Sequence, residues 1–172
     1  MKTKKQEELL NTYLSAFDDD TASLYKEIAL YLSGLGYNPK KVKSGISFKH
    51  DLHNKQMAKM GVKVNRKTGT TPFFSLRFSA CRDYSQRFAE IVGEFAAKYP
   101  ARTAGCVTGG CNYCGGGAGT HVYTHKLPNG ETGYHCGAYA IEIPDITPGD
   151  IAEIKKLIKE EHEYLLANET GV

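Results

Sequence analysis

The stretch PFFSLRFSA, residues 72–80, alternates apolar and polar side chains and predicts a β-strand with one buried face. Phe74, Leu76 and Phe78 fall on one side of this strand, and Arg77 falls on the other. A strand patterned in this way belongs to a sheet that other elements cover on its apolar side. The sequence around it therefore has to supply helices and further strands.

Helical spacing of apolar residues predicts helices over residues 6–17, from the N-cap Asp20 to Gly34 or Gly36, from the N-cap Asp83 to about Tyr99, and after the segment 147–150. Strands are predicted over residues 45–50, 120–126 and 134–143, and the turn 128–130 joins the last two. Asn38-Pro39 predicts a turn, and residues 52–64 fit a helix and a strand equally well. We therefore expect a single α+β domain over residues 1–172, with a mainly antiparallel sheet covered by helices. It has a helical N-terminal part, residues 1–36, and a Gly/Cys-rich loop with a hairpin, residues 105–137.

Composition favours a soluble cytoplasmic protein that does not act in a membrane. Apolar residues make up 41% of the 172 residues and charged residues 24%, which is enough to bury a sizeable core. No apolar run approaches the roughly 20 residues that a membrane-spanning helix needs, and the N-terminus has no secretory signal pattern. Five cysteines without an export signal argue against a disulfide framework.

Four of the five cysteines cluster with the spacing Cys106-x4-Cys111-x2-Cys114-x21-Cys136. A Cys-x2-Cys step brings two thiolates to one tetrahedral ion, and the surrounding glycines permit a tight loop. We expect these four residues to bind one zinc ion that stabilises the loop and leaves no coordination position open for a substrate.

Three alternatives to zinc remain open. The Cys-x4-Cys-x2-Cys order resembles that of plant-type ferredoxins, which implies a [2Fe–2S] cluster and an electron-transfer role. The thiols are otherwise simply reduced, or Cys111 and Cys114 form a redox pair. His121, His125 and His135 lie close by in sequence, and one of them replaces a cysteine if that cysteine is not a ligand.

The middle of the chain is strongly basic. Residues 37–87 hold 12 Lys and Arg against two acidic residues, whereas residues 141–172 hold eight acidic residues against three Lys. A basic surface attracts an acidic partner, a small anion or nucleic acid, although no established nucleic-acid motif is present. The candidate ligand- or anion-binding residues are Arg77, Lys49, His50 and Arg82.

No complete catalytic signature is present, so an enzyme is the less favoured hypothesis. Cys81 ends the strand 72–80 just before a helix, a position that can activate a thiol. The neighbouring Asp83 opposes thiolate formation, and no partner histidine is identifiable, so a half-buried structural cysteine is the favoured interpretation.

The segment from Cys111-Asn-Tyr-Cys114 through Tyr134-His-Cys136-Gly, together with residues 143–151 and 160–164, resembles the C-terminal part of certain uncharacterised bacterial proteins. The stretch from Tyr25 to Val92 is similar to the same group. The resemblance implies a bacterial cytoplasmic origin and no named activity. A further fold-level analogy is to the small-ligand-binding α+β domains attached to bacterial regulators. The leading hypothesis is a zinc-stabilised domain that binds a small ligand or an acidic partner beside Phe74, Leu76 and Arg77.

Overall fold

The computed structural model describes residues 1–43, 45–65, 69–105, 107 and 121–168. The helices within these residues are α1 (Lys4–Leu14), α2 (Asp19–Gly34), α3 (Gln86–Lys98) and α4 (Ile151–Ala167). The strands are β1 (Tyr37–Val42), β2 (Gly45–His50), β3 (Gln56–Asn65), β4 (Gly69–Leu76), β5 (Val122–Lys126), β6 (Thr132–Cys136) and β7 (Ile141–Ile143). In the described part of the chain, every helix is too short or too polar to cross a membrane.

The strands form two sheets. Strands β1 to β4 pair antiparallel in chain order and β7 adds to β4, which gives the order β1-β2-β3-β4-β7. Strands β5 and β6 form a separate antiparallel hairpin. This arrangement confirms the predicted α+β fold class with its antiparallel sheet, helices and hairpin.

The chain divides into two compact units, and the single domain over residues 1–172 stays a prediction. Unit 1 comprises Met1–Leu76 and Glu142–Ile158, and unit 2 comprises Arg77–Ile141 and Lys159–Val172. Helices α1 and α2 and strands β1 to β4 therefore belong to unit 1. Helix α3 and the β5–β6 hairpin belong to unit 2, and α4 contributes its first half to unit 1 and its second half to unit 2.

The core of unit 1 lies on one face of its sheet. Register aligns Ile46, Met60 and Phe74 across β2, β3 and β4, and all three side chains are at most 1% exposed. Tyr25 of α2 contacts Phe74 edge-on, with ring centroids 6.5 Å apart. The buried face predicted for Phe74 and Leu76 is thus confirmed, because both side chains are completely buried.

Two sequence predictions in this region need correction, and one ambiguity is resolved. The turn predicted at Asn38-Pro39 is wrong, because both residues lie in β1. Strand β1 is at the edge of the sheet, where the missing N–H of a proline is tolerated. The ambiguous residues 52–64 form β3 from Gln56 onward, and β4 ends at Leu76 and not at Ala80.

Helix starts are set by side chains that accept the first free backbone N–H groups. Asp18 accepts the Thr21 N–H at 2.8 Å and caps α2, two residues before the predicted Asp20. Ser85 and not Asp83 caps α3. The predicted opening of the last helix is confirmed, because the Asp150 carboxylate accepts the Thr147 N–H at 2.8 Å just ahead of α4.

Unit 2 packs α3 against the hairpin. The rings of Phe78, Phe88, Phe95 and Tyr123 form the aromatic part of its core. The predicted single strand 134–143 is two strands, β6 and β7, which belong to different sheets. The chain turns at Gly137, where an added Cβ would lie 2.3 Å from the His121 carbonyl oxygen.

Candidate functional site

A groove runs between α3 and the β5–β6 hairpin in unit 2. It consists of two cavities of about 660 Å³ and about 600 Å³ that share Gly93, His125 and Lys126 as lining residues. Volumes of this size are typical of small-molecule sites. Gly93 faces open space on the helix side, since an added Cβ there would meet no atom within 4 Å.

The hairpin register places a histidine over a glycine in this groove. His125 pairs with Gly133 across the two strands. An added Cβ on Gly133 would lie 2.5 Å from Cε1 and 2.6 Å from Nε2 of the His125 ring, a distance that Cβ atoms do not tolerate. Only glycine at position 133 therefore lets the imidazole lie flat across the neighbouring strand.

His135 is a buried histidine with a hydrogen-bond partner at one of its two ring nitrogens. Its side chain is 4% exposed, and its Nε2 lies 3.2 Å from the carbonyl oxygen of Tyr99. Since a carbonyl can only accept, Nε2 donates this hydrogen bond. The other ring nitrogen, Nδ1, is buried and has no hydrogen-bond partner in the described part of the chain.

His125 repeats this condition beside it. The two imidazole rings are 5.1 Å apart at 71°, and Nδ1 of His125 is also buried without a partner among the described residues. Burial, together with the proximity of His135, lowers the pKa of His125 below its ordinary value. Protonation of His125 is therefore disfavoured, and its ring lies beside that of His135 in the wall of the groove.

The two ends of the groove differ in polarity. One cavity is lined mainly by apolar side chains, namely Ala96, Ala97, Pro100, Leu127, Pro128 and Tyr134. The other carries polar and charged groups, namely Arg82, Tyr84, Gln86, Glu90, Thr124 and Thr132. Within that polar end the Glu90 carboxylate accepts a hydrogen bond from Gln86 at 2.9 Å. His125 and Lys126 lie where the two ends meet.

A second polar cluster in unit 2 is closed to ligands. Glu161 of α4 is completely buried, and its carboxylate lies 2.8 Å from Nε of Arg77. The same carboxylate accepts the Ala80 N–H at 2.8 Å and lies 3.4 Å from the Ser79 hydroxyl. Burial raises the pKa of the Glu161 carboxyl above its ordinary value, while the Arg77 charge and the Ala80 N–H oppose that rise.

His121 completes this cluster. It contacts the Arg77 guanidinium through Nε2, and it stacks on Tyr164 with ring centroids 5.4 Å apart and planes 5° apart. Its Nε2 is 3.8 Å from Glu161. Arg77 is thus neutralised inside the fold, with only 14% of its side chain exposed, and is not a free anion-binding charge.

The four residues predicted to bind a ligand or anion lie in both units. Arg77 and Arg82 belong to unit 2, and Arg82 lines the polar cavity. Lys49 and His50 lie on β2 of unit 1, where His50 stacks on His53 at 4.0 Å between centroids. Phe74 and Leu76 of unit 1 are completely buried, and binding in a groove beside them stays a prediction.

Of the predicted metal ligands only Cys136 lies in the described part of the chain. Cys106, Cys111 and Cys114 are outside the described residues. Cys136 is half-buried at the end of β6, opposite Val122. Within residues 1–43, 45–65, 69–105, 107 and 121–168, His, Cys, Asp and Glu side chains form no group of three or more suited to a metal.

The described flanks of the cysteine-rich segment both contact β6. Ala104 donates its N–H to the Tyr134 carbonyl at 3.0 Å, and Thr103 forms an antiparallel bridge with His135. On the other flank Val122 pairs with Cys136 itself. Both flanks are thus attached to the strand that carries the fourth cysteine.

Cys81 does not have the surroundings of a reactive thiol. Its side chain is 1% exposed. Burial, followed by the nearby Glu161 and Glu160 charges, raises its pKa well above that of a free thiol. The thiolate needed for nucleophilic chemistry is therefore disfavoured at this position.

His125 and His135 were noted in the sequence, but the contact between their rings was not predicted. The hairpin register could have predicted this contact. A hairpin that turns at residues 128–130 sets Lys126 opposite Thr132, and therefore His125 opposite Gly133, which is two residues before His135. The contribution of α3 was not available, since packing between a helix and a hairpin is not encoded in either one alone.

Comparisons with known proteins identify no family for this chain. No protein-family model, curated protein or solved structure matches the chain. The resemblance to uncharacterised bacterial proteins therefore stays a prediction. Any function has to be inferred from the geometry of the chain itself.

Proposed function

We propose that this protein is a non-enzymatic binding domain whose small-molecule ligand occupies the groove between α3 and the β5–β6 hairpin. The observation that carries the proposal is the groove itself, which consists of two adjoining cavities of about 660 Å³ and about 600 Å³. One end is lined mainly by apolar side chains and the other by polar and charged ones. Apolar walls with a small number of polar groups are typical of small-molecule sites.

The binding hypothesis is supported by the inert character of the other polar groups in unit 2. Glu161 and Arg77 pair with each other, and Cys81 is protonated and buried. Catalysis needs groups whose protonation state suits the reaction and that face a cavity. His125 and His135 line the cavity, but Nδ1 of each ring has no hydrogen-bond partner among the described residues that would orient it for acid–base chemistry, so binding is favoured over catalysis.

A screen of soluble organic fragments by saturation-transfer NMR tests this function. The blocking variant is Gly93→Leu, which extends a side chain into the groove where the wild type has open space. Leucine also has a higher helix propensity than glycine, so α3 should remain folded. The matched control is Gly34→Leu at the end of α2, which also has open space around its Cβ.

Fragments should bind to the wild type and to Gly34→Leu but not to Gly93→Leu. Equal binding to all three proteins would place the ligand elsewhere. An absence of binding to the wild type would contradict the proposed function.

Zinc bound by Cys106, Cys111, Cys114 and Cys136 is the second part of the proposal. It is supported by the attachment of both flanks of the cysteine-rich segment to β6. Elemental analysis should find about one zinc per chain, and Cys136→Ser should lose it. Cys81→Ala is the matched control that should retain zinc. Iron with visible absorbance would instead favour the [2Fe–2S] alternative.

A basic face in unit 1 favours a second candidate function, the binding of nucleic acid. Lys40, Ser47 and Lys59 are aligned across β1, β2 and β3, one residue away from the buried row that contains Ile46 and Met60. The lysines therefore lie on the sheet face opposite the core. Two strand spacings separate them, which is about 10 Å.

A fluorescent oligothymidylate titrated at increasing salt tests this candidate. Binding through the lysine face should weaken steeply as the salt concentration rises, and Lys40→Glu with Lys59→Glu should abolish it. Absence of binding at low salt would exclude it.

A further inference from the structure

We infer that the ligand of the α3–hairpin groove is a short extended peptide that adds to the outer edge of β5 as an antiparallel strand. The preferred peptide has an acidic residue opposite Lys126 and an apolar residue on either side of it. This inference rests on the proposed function and specifies the chemical class of the molecule that the groove binds.

The hydrogen bonds of the hairpin determine which backbone groups of β5 point outward. Leu127 donates its N–H to the Glu131 carbonyl at 2.9 Å, so positions 127 and 131 form a hydrogen-bonded pair. Such pairs alternate with non-hydrogen-bonded pairs along an antiparallel ladder. His125 is therefore bonded across the hairpin, whereas the N–H and C=O groups of Thr124 and Lys126 point away from β6.

Two side-chain contacts at the outer edge agree with this orientation. The Thr124 N–H donates to the Tyr84 hydroxyl at 3.4 Å. The Arg82 guanidinium donates to the Val122 carbonyl at 3.5 Å. Beyond these contacts, the Thr124 carbonyl and both backbone groups of Lys126 have no hydrogen-bond partner among the described residues. The outer edge of β5 is thus covered by side chains as far as the Thr124 N–H and is open from there to Lys126.

The open groups are those that an added strand uses. In an antiparallel pair, one residue exchanges both of its backbone hydrogen bonds with the residue opposite, and this pairing is slightly more stable than a parallel one. Lys126 can therefore bond one peptide residue twice, and the Thr124 carbonyl can accept an N–H from the residue two positions further along the peptide. The two positions on β5 are about 7 Å apart, a distance that three extended residues span. Extended peptides are commonly recognised by an open strand edge of this kind.

Helix α3 forms the other wall of this peptide site. Phe95 of α3 contacts the Tyr123 ring, with centroids 6.4 Å apart, so α3 covers the hairpin face that carries Tyr123 and His125. Ala89 and Gly93 of α3 line the same cavity of about 660 Å³ as the open part of β5. A peptide added to β5 therefore lies in a cavity beside α3.

Strand alternation gives the side-chain pattern of the peptide. The residue opposite Lys126 shares the hairpin face of the Lys126 side chain, whereas its two neighbours point to the face that α3 covers. Lys126 is exposed and forms no ion pair within the described part of the chain, and directly opposed strand residues of opposite charge attract each other. The two neighbours meet Ala89 and Gly93, and an added Cβ on Gly93 would find no atom within 4 Å. An acidic residue between two apolar residues fits both faces.

Four blocked pentapeptides test the inference by ¹H–¹⁵N NMR titration of wild-type protein. The parent is acetyl-Thr-Val-Glu-Val-Thr-amide. The second carries an N-methyl group on Glu, which removes the N–H that would bond the Lys126 carbonyl. The third carries it on the first Val, whose N–H would point away from β5, and the fourth has Lys in place of Glu. The methyl on Glu should weaken binding about fivefold or more and the methyl on Val much less, while the Glu-to-Lys exchange should weaken it about two- to fivefold.

Amide hydrogen exchange in wild-type protein reports the contact directly. The Lys126 N–H points outward and should exchange rapidly in the free protein, whereas the His125 N–H is bonded across the hairpin and should exchange slowly. Saturating parent peptide should slow the exchange of the Lys126 N–H at least about tenfold and leave that of His125 unchanged.

A charge reversal locates the acidic residue of the peptide. Lys126→Glu should bind the Lys peptide more tightly than the Glu peptide, which reverses the preference of the wild type. The matched control is Lys98→Glu, an exposed lysine at the end of α3 that lines neither cavity, and it should keep the wild-type preference.

The outcomes separate this inference from the proposed function. Equal affinities of the two N-methylated peptides, a Lys126 exchange rate unchanged by saturating peptide, or an unchanged charge preference in Lys126→Glu would overturn the added strand. If no peptide binds while fragments excluded by Gly93→Leu still bind, the peptide class is wrong and the binding function remains. If neither fragments nor peptides bind to the wild type, the proposed function itself fails.

Discussion

Replacing Glu161 by glutamine should be among the most damaging single changes in unit 2. The substitution keeps the shape of the side chain and removes the charge that lies 2.8 Å from Nε of Arg77. Only 14% of the Arg77 side chain is exposed, and the substitution would leave its charge without the partner carboxylate. The new amide N–H₂ would also face the Ala80 N–H or Arg77, which are both donors.

Breaking a buried ion pair by removing one partner destabilises a protein by about 3–5 kcal/mol. With a urea dependence of about 2 kcal/mol per molar, the midpoint of unfolding should fall by about 1.5–2.5 M. The assay is equilibrium urea unfolding followed by far-ultraviolet and near-ultraviolet circular dichroism. The matched control is Glu163→Gln, whose carboxylate is 62% exposed and 3.8 Å from Lys159, and which should change stability by less than about 1 kcal/mol.

The raised pKa of Glu161 adds a second expectation. Because burial outweighs the favourable contacts, the charged pair itself contributes little net stability, and the damage comes from orphaning Arg77. The double variant Arg77→Met with Glu161→Leu should therefore recover part of the loss, because it removes the orphaned charge but leaves the Ala80 N–H without its acceptor. If Glu161→Gln is no more destabilising than Glu163→Gln, the description of this cluster is refuted.

Three further outcomes follow from the structure. The pKa of His125 is lowered in the fold, so its stabilising contribution is complete above about pH 6.5 and is lost as pH falls through the pKa of the folded state. His125→Phe should therefore make the urea midpoint less sensitive to pH between 5 and 7. An unchanged pH dependence of the midpoint would contradict the lowered pKa. In native protein at pH 8, mass spectrometry should show Cys81 alkylated by iodoacetamide at least about tenfold more slowly than in urea, and a native rate equal to that of a free thiol would disprove its burial. Gly45→Ala should destabilise unit 1 by about 2–4 kcal/mol, because φ is +137° and the new Cβ would lie 2.2 Å from the Met60 carbonyl oxygen. Gly69→Ala, with φ +83° and open space around the Cβ, should lose only about 1 kcal/mol. Equal losses of stability in urea unfolding would contradict the steric argument.

Much of the fold could be predicted because periodicity and turn chemistry are local. The alternation around Phe74 and Leu76 identified the buried face of β4, and Asn129-Gly130 identified the hairpin. The predictions that failed depended on position in the sheet. Asn38-Pro39 lies in a strand because that strand is at an edge, and residues 134–143 divide at a turn that begins at Gly137 and leads to a strand of the other sheet.

The candidate site was only partly accessible from sequence for a related reason. Arg77 looked like an outward-facing charge, yet its partner Glu161 is 84 residues away and buried in α4. His125 and His135 were visible as hairpin residues, but the cavity beside them exists only because α3 packs there. Long-range pairs and cavities arise from tertiary packing, and the amino-acid pattern of one segment does not contain them.

The most direct test of the groove is saturation-transfer NMR of the fragment screen on wild-type protein, Gly93→Leu and Gly34→Leu. The groove predicts fragments that bind to the wild type and to Gly34→Leu but are lost in Gly93→Leu. Equal binding to all three proteins, or no binding to the wild type, would contradict it.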